Sequence, residues 1–234
     1  MNQYTILEKL AGRSHNPNHV LTQNGLKYRT ICGRCNSCLL GGGYDRTLNE
    51  FALNVGRFLD TTLYLPPQVS VVTKPARLLR SLFGHLLAAK AQLEYTKPDT
   101  AMREFVLDPR AQLTPELNVF YFVYPYPDVV VVRDVLMPAH RGRFDSPAIF
   151  SILKYFPVGY IVTNAKEHEG LQSLSFRCPR DLDQAVEIPI RLGSPPQRDW
   201  PEVVDDGNFV AFGGSSGESS VTAIPKGARL RGPT

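Results

Sequence analysis

Three of the four cysteines in this chain fall within seven residues, in the run Cys32-Gly33-Arg34-Cys35-Asn36-Ser37-Cys38. Two thiolates three residues apart are suited to grip one metal ion, because a CxxC turn points both sulfurs into the same space while its backbone N–H groups stabilise their charge. Cys38 offers a third thiolate three residues further on. There is no second CxxC, so the fourth corner of a tetrahedral site must come from elsewhere, and His15, in an upstream loop, is the candidate that completes a Cys3His structural zinc site from Cys32, Cys35, Cys38 and His15. The alternative is that these are simply reduced or buried cysteines, since Cys also serves as a small hydrophobe. Cys178, remote and in a strand-like stretch, reads as a buried small residue.

Around this cluster the charge is uneven. The first sixty residues hold seven Lys or Arg against four Asp or Glu, so most of the net +4 of the chain sits near the cysteines. Arg34, Arg46 and Arg57 are the candidates for contact with a phosphate backbone, which makes DNA the expected partner. An ordinary solvated surface would show the same balance.

The elements that must hold these residues follow from periodicity. Residues 12–27 read as loop and turn, and Tyr28 to Cys32 as a short strand entering the cysteine turn. Asp45 reads as the N-cap of a helix to about Leu59, with Leu48, Phe51, Ala52, Val55, Phe58 and Leu59 at helical spacing. Val69 to Val72 is a candidate strand. Pro75 opens a second helix to about Leu93, whose stripe of Leu78, Leu79, Leu82, Phe83, Leu86 and Leu87 is apolar and whose Gly84, Ala88 and Ala89 permit close packing. His85, beside that stripe, reads as a packed and hydrogen-bonded histidine.

Beyond Asn118 the period changes to that of strands: Val119–Tyr124, Val129–Leu136, Tyr160–Thr163 and Leu174–Cys178 are short, β-branched and aromatic. Phe150 to Phe156 fits either a strand or a short helix. The aromatic run from Phe120 to Tyr126 has the composition of a base-stacking surface, although alternation along a strand favours core. His140, Arg143 and His168 fall in expected loops. The segment around Gly213-Gly214-Ser215-Ser216 reads as a flexible linker before a basic end.

At 234 residues, 43% hydrophobic and 21% charged, the chain has the composition of a globular protein. No apolar run approaches the roughly 20 residues that span a bilayer. No membrane partner is expected, the N-terminus carries no apolar leader, and a reducing, cytoplasmic setting suits clustered thiols.

The stretch Arg29-Thr30-Ile31-Cys32-Gly33-Arg34-Cys35-Asn36-Ser37, followed by Gly43-Tyr44-Asp45 and a helix, resembles the second half of zinc-ribbon HNH endonuclease domains, over about forty residues from His15 to Phe58. The resemblance implies a ββα fold in which His19 is the general base, Asn36 helps hold a catalytic Mg or Mn ion, and the cysteines hold structural zinc. The chain departs from that family at Asn18, where an acid is usual, in lacking the first CxxC, and in the short interval from His19 to Cys32.

The expected architecture is α+β. It comprises a zinc-knuckle, ββα-like module over residues 1–62, an α+β domain with a helical middle and a mostly antiparallel sheet over 63–200, and a polar, flexible tail over 201–234. The expected function is an HNH-like metal-dependent nuclease, or a degenerate relative that binds DNA without cutting it. The alternative is a non-catalytic zinc-stabilised protein whose sheet domain recognises a protein or ligand.

Overall fold

The structure is a computed structural model that describes residues 30–61, 64–90, 96–139, 143–193, 196–201 and 220–223. It is α+β. A π-helix, Cys35–Tyr44, runs directly into α1 (Asp45–Thr61), and the remaining helices are α2 (Pro75–Ala88) and α3 (Lys97–Leu107). The strands are β1 (Gln68–Thr73), β2 (Asn118–Val123), β3 (Val129–Met137), β4 (Ala148–Tyr155), β5 (Val158–Thr163), β6 (Gln172–Ser173), β7 (Val186–Arg191) and β8 (Ser220–Ala223). Six of them form an antiparallel sheet in the order β6-β2-β5-β4-β3-β8, and β1 pairs with β7 as a separate ribbon.

The two helical stripes do what their spacing implies. Leu48, Phe51 and Val55 of α1 and Leu78, Leu79, Leu82, Phe83 and Leu86 of α2 are at most 3% exposed and share one core with Val119, Tyr121, Leu153 and Tyr160 of the sheet. Each such side chain contributes about 1.5–3 kcal/mol on burial, so this layer holds the cysteine-bearing helix to the sheet. Close approach is set by Gly84: a Cβ there would lie 2.3 Å from Leu40 Cδ2, which seats the π-helix on α2. Strands β2 and β5 are buried on both faces, because Phe120, Phe122, Phe150, Ile152 and Ile161 form a second core on the opposite side with Phe144 and Trp200. The aromatic run is therefore core, not a stacking surface.

A bulge in β3 decides where its charged pair goes. Val130 and Val132 face the second core, and so do Val135 and Met137, an odd number of residues later. The register shift between Val132 and Val135 absorbs the difference, with Asp134 at φ 56°. Arg133 is thereby aimed at the helices. It donates to Leu86 O, to Asp99 and, at 3.2 Å, to Ser151 Oγ. Asp99 also receives Lys90 and closes a capping box with Thr96 at the start of α3. Burial pushes the Asp99 carboxyl up, but the Lys90 hydrogen bond and the Arg133 charge outweigh it, and the net shift is downward.

Several expectations are corrected. Of Phe150–Phe156, left between strand and helix, residues up to Tyr155 belong to strand β4. The second helix stops at Ala88, short of Leu93. Leu174–Cys178 is not a strand: β6 ends at Ser173 and Ser175–Arg177 is a 3-10 turn. Within the expected flexible tail, Ser220–Ala223 pairs with β3 as an edge strand. His168, expected in a loop, lies outside the named strands but is 8% exposed and ringed by Phe120, Phe144 and Trp200. No helix among the described residues is long and apolar enough to cross a membrane.

Candidate functional site

The cysteine run does not form a loop before a capped helix. Residues 30–32 are not in a strand; the chain is already helical at Gly33, Asn36 N–H donates to Cys32 O at 2.9 Å, and the coil then widens into the π-helix. Two glycines ease the wide coil. A Cβ at Gly41 would lie 3.2 Å from Asn36 O and one at Gly42 3.2 Å from Ser37 O, each carbonyl five residues back, so side chains there would crowd the ladder. π-helical stretches are rare and frequently mark functional sites. This one has a consequence for the three thiols: with more residues per turn, three residues fall further short of a complete turn than in an α-helix. Cys35 and Cys38 are therefore turned apart.

Cys32 and Cys35 are brought together. Their sulfurs lie 3.1 Å apart in a shared hydrogen bond, and Cys35 N–H donates to Cys32 Sγ at 3.3 Å. Cys32 is exposed and its thiol is pulled down, first by the Cys35 side chain and then by that backbone N–H at the opening of the helix. The Cys35 thiol is pushed up, first by its hydrogen bond with Cys32 and then by burial, against the charges of Arg103 and Arg34. All four cysteines are free thiols, and Cys178 is partly buried, with burial pushing it up to about 11.

The pair fits two corners of a zinc site. Tetrahedral ligands at a Zn–S distance of about 2.3 Å stand about 3.8 Å apart, a small rotamer adjustment from the observed separation. Among the described residues, no three His, Cys, Asp or Glu side chains gather closely enough to hold a metal. His15 and His19, and the Asn18 that precedes His19, lie outside the described residues.

Asn36 is exposed on the helix directly after Cys35, with its side chain open to solvent. Arg34 is exposed beside the pair. Arg46 and Arg57 lie eleven residues apart on one face of α1, about 16 Å along the axis. Arg46 is 83% exposed and bonds Glu50 at 2.8 Å, and Arg57 reaches Asn54 Oδ1 at 3.4 Å. An exposed pair of the Arg46–Glu50 kind is worth at most about 1 kcal/mol and yields readily to a phosphate. Arg103, exposed on α3, is a basic residue near the pair that the sequence does not point to, because it lies far down the chain.

Asp45 is corrected as well: it is not an N-cap. Its own N–H donates to Leu40 O inside a continuous helix, and its carboxylate faces α2, where Oδ1 receives Ser81 Oγ–H at 2.5 Å and lies 3.1 Å from His85 Nε2. Burial pushes this carboxyl up, while the His85 and Ser81 hydrogen bonds pull harder and leave it lowered. The three residue types are those of a hydrolytic triad, but the connections differ. Ser81 and His85 both address one carboxylate oxygen, so the imidazole is not placed to take the serine proton. The cluster fastens α1 to α2, and His85 is the hydrogen-bonded histidine its spacing implies.

No protein-family model matches this chain, and no curated protein or solved structure does.

Proposed function

We propose that residues around the Cys32–Cys35 turn form a zinc-stabilised, HNH-like module that binds DNA through its phosphate backbone, with cleavage resting on His19. The observation that carries this reading is the thiol pair at the opening of the helix, with the guanidinium groups of Arg34 and Arg103 acting on it. Cys32 and Cys35 would hold zinc together with ligands from the preceding segment, His15 among them, and Cys38 would join only by unwinding part of the wide coil. Zinc, when bound, supplies a rigid cross-link between that segment and the helix.

Arg34, Arg46 and Arg57 would take phosphate oxygens, and all three are exposed. A hard cation such as Mg or Mn supplies charge neutralisation at a phosphate. For the strand-cutting step, the family resemblance gives His19 the role of taking a proton from water and gives Asn36 a place beside the cation. A neutral imidazole near pH 7 is a competent base for that step. The absence of an acid at position 18 favours binding over efficient cleavage.

Fluorescence anisotropy with duplex DNA across a salt series tests the binding, and a supercoiled-plasmid nicking assay with Mg or Mn tests the cleavage. Affinity should fall steeply with salt, and Arg34→Gln should weaken binding to all sequences alike. Nicking, where present, should disappear in His19→Ala with affinity retained. No binding at low salt would reject the nucleic-acid reading, and full nicking by His19→Ala would reject the base.

A further inference from the structure

Away from the cysteines, the edge of the six-stranded sheet ends abruptly. In the β2–β5 ladder, Tyr124 N–H donates to Pro157 O at 2.8 Å, which by alternation turns the backbone groups of Phe120 and Phe122 toward β5 and those of Val119, Tyr121 and Val123 toward the opposite edge. On that edge Val119 is satisfied: its O accepts Leu174 N–H at 2.7 Å and its N–H donates to Ser175 Oγ at 2.7 Å. Tyr121 pairs with Gln172 of β6. The register would next set Gly170 opposite Val123, and there the pairing stops. Gly170 turns away with φ 92°, and its carbonyl accepts Arg191 Nη1 at 3.2 Å instead.

The gap is a groove of about 630 Å³, lined by Val123, Tyr121, Gly170 and Gln172 on the sheet side and by Gln68 and Arg191 of the β1–β7 ribbon on the other. That volume is in the range of small-ligand sites. The Tyr121 hydroxyl spans the Gln172 side-chain amide at 2.8 Å and Pro189 O at 2.7 Å, which ties the two walls together and fixes the shape. Burial pushes this hydroxyl up to about 12, against the nearby charges of Arg177 and Arg191, so the field in the groove is positive. Arg191 is exposed, and its guanidinium retains donors beyond the one given to Gly170.

We infer that this groove binds the C-terminal end of a polypeptide in extended conformation, its backbone continuing the sheet at Val123 and its terminal carboxylate on Arg191. An extended chain supplies the alternating acceptor and donor that the sheet edge lacks at Val123, and a carboxylate meets Arg191, the cation among the described lining residues, in bidentate fashion. The occupied length is short, since one edge position and one cation define it. The apolar floor of Phe122, Val158 and Ile190 suits β-branched side chains.

The probe is the synthetic tetrapeptide acetyl-Val-Thr-Val-Val with a free carboxylate, titrated into the full chain by amide NMR. Its C-terminal amide and a version N-methylated at the third residue are the comparisons. The acid should shift the amides of Val123 and Gly170, and both modified peptides should bind about tenfold more weakly. Arg191→Gln should remove the preference for acid over amide while leaving the rest of the amide spectrum in place. Equal binding of acid and amide to the unaltered chain, shifts confined to another surface, or no binding at millimolar peptide would each overturn the inference.

Discussion

Two polar clusters in this molecule make opposite use of their chemistry. Around Asp99, the side chains of Arg133, Lys90 and Thr96 and the carbonyl of Leu86 close on one another; Asp99 and Arg133 are each 1% exposed and their hydrogen-bonding capacity is spent inside the protein. At Cys32 and Cys35 the thiols are exposed or half-exposed and, among the described residues, bond each other and the Cys35 backbone N–H. A saturated, buried network specifies structure, whereas exposed groups with unused valence are available to a ligand. By that contrast the charged cluster belongs to the fold, and the thiol pair is the group on which the proposed zinc site draws.

The largest expected effect comes from breaking the buried network. Asp99→Ala takes from buried Arg133 its closer carboxylate and leaves Asp134 at 3.5 Å, which should cost about 3 kcal/mol in urea unfolding. Zinc binding by the surviving folded protein should be unchanged, and loss of metal with little loss of stability would reverse the comparison. Gly84→Ala should come next, at about 1–3 kcal/mol, because the added methyl must displace Leu40, which is 3% exposed. Thermal melts measure it, and Leu40→Ala in the same chain should recover part of the loss.

Acid sharpens the same contrast. Asp99 and Asp45 both sit below the ordinary carboxylate value in the folded protein. Groups lowered on folding give stability that is fully present above the unfolded value of about 3.9 and is lost as pH falls through the folded one. Urea midpoints should therefore drop below about pH 4, and Asp45→Asn should flatten that drop. An unchanged pH profile in Asp45→Asn would show that the His85 and Ser81 contacts do not hold the carboxylate. Smallest of all should be the effect of Cys32→Ser on metal-free stability, under about 1 kcal/mol for an exposed side chain that packs on little.

Why some of this was readable from the sequence and some not follows from the range of each interaction. The stripes of α1 and α2 and the short, apolar β-branched and aromatic runs of β2 and β5 are local patterns that burial enforces, and they appear in the structure as helices and strands. Gly41 and Gly42 let a wide coil pass carbonyls that a Cβ would crowd, and nothing local distinguishes that use of glycine from a turn. Asp45 reads as a cap because it follows glycines, and its true partners are 36 and 40 residues away on α2. The Asp99–Arg133 network draws on four separate segments and has no spacing to find. Arg103 joins the cysteines for the same long-range reason, while the CxxC pairing itself is a three-residue property and is legible.

The central claim, that Cys32 and Cys35 hold zinc, is tested most directly by elemental analysis of the full chain purified with zinc present, beside Cys32→Ser and Cys35→Ser. The account predicts about one zinc per unaltered chain, its loss from both variants, and near-native far-UV circular dichroism in each. A folded, unaltered chain that holds no zinc and whose Cys32 and Cys35 react with thiol reagents as freely in zinc as without it would contradict it.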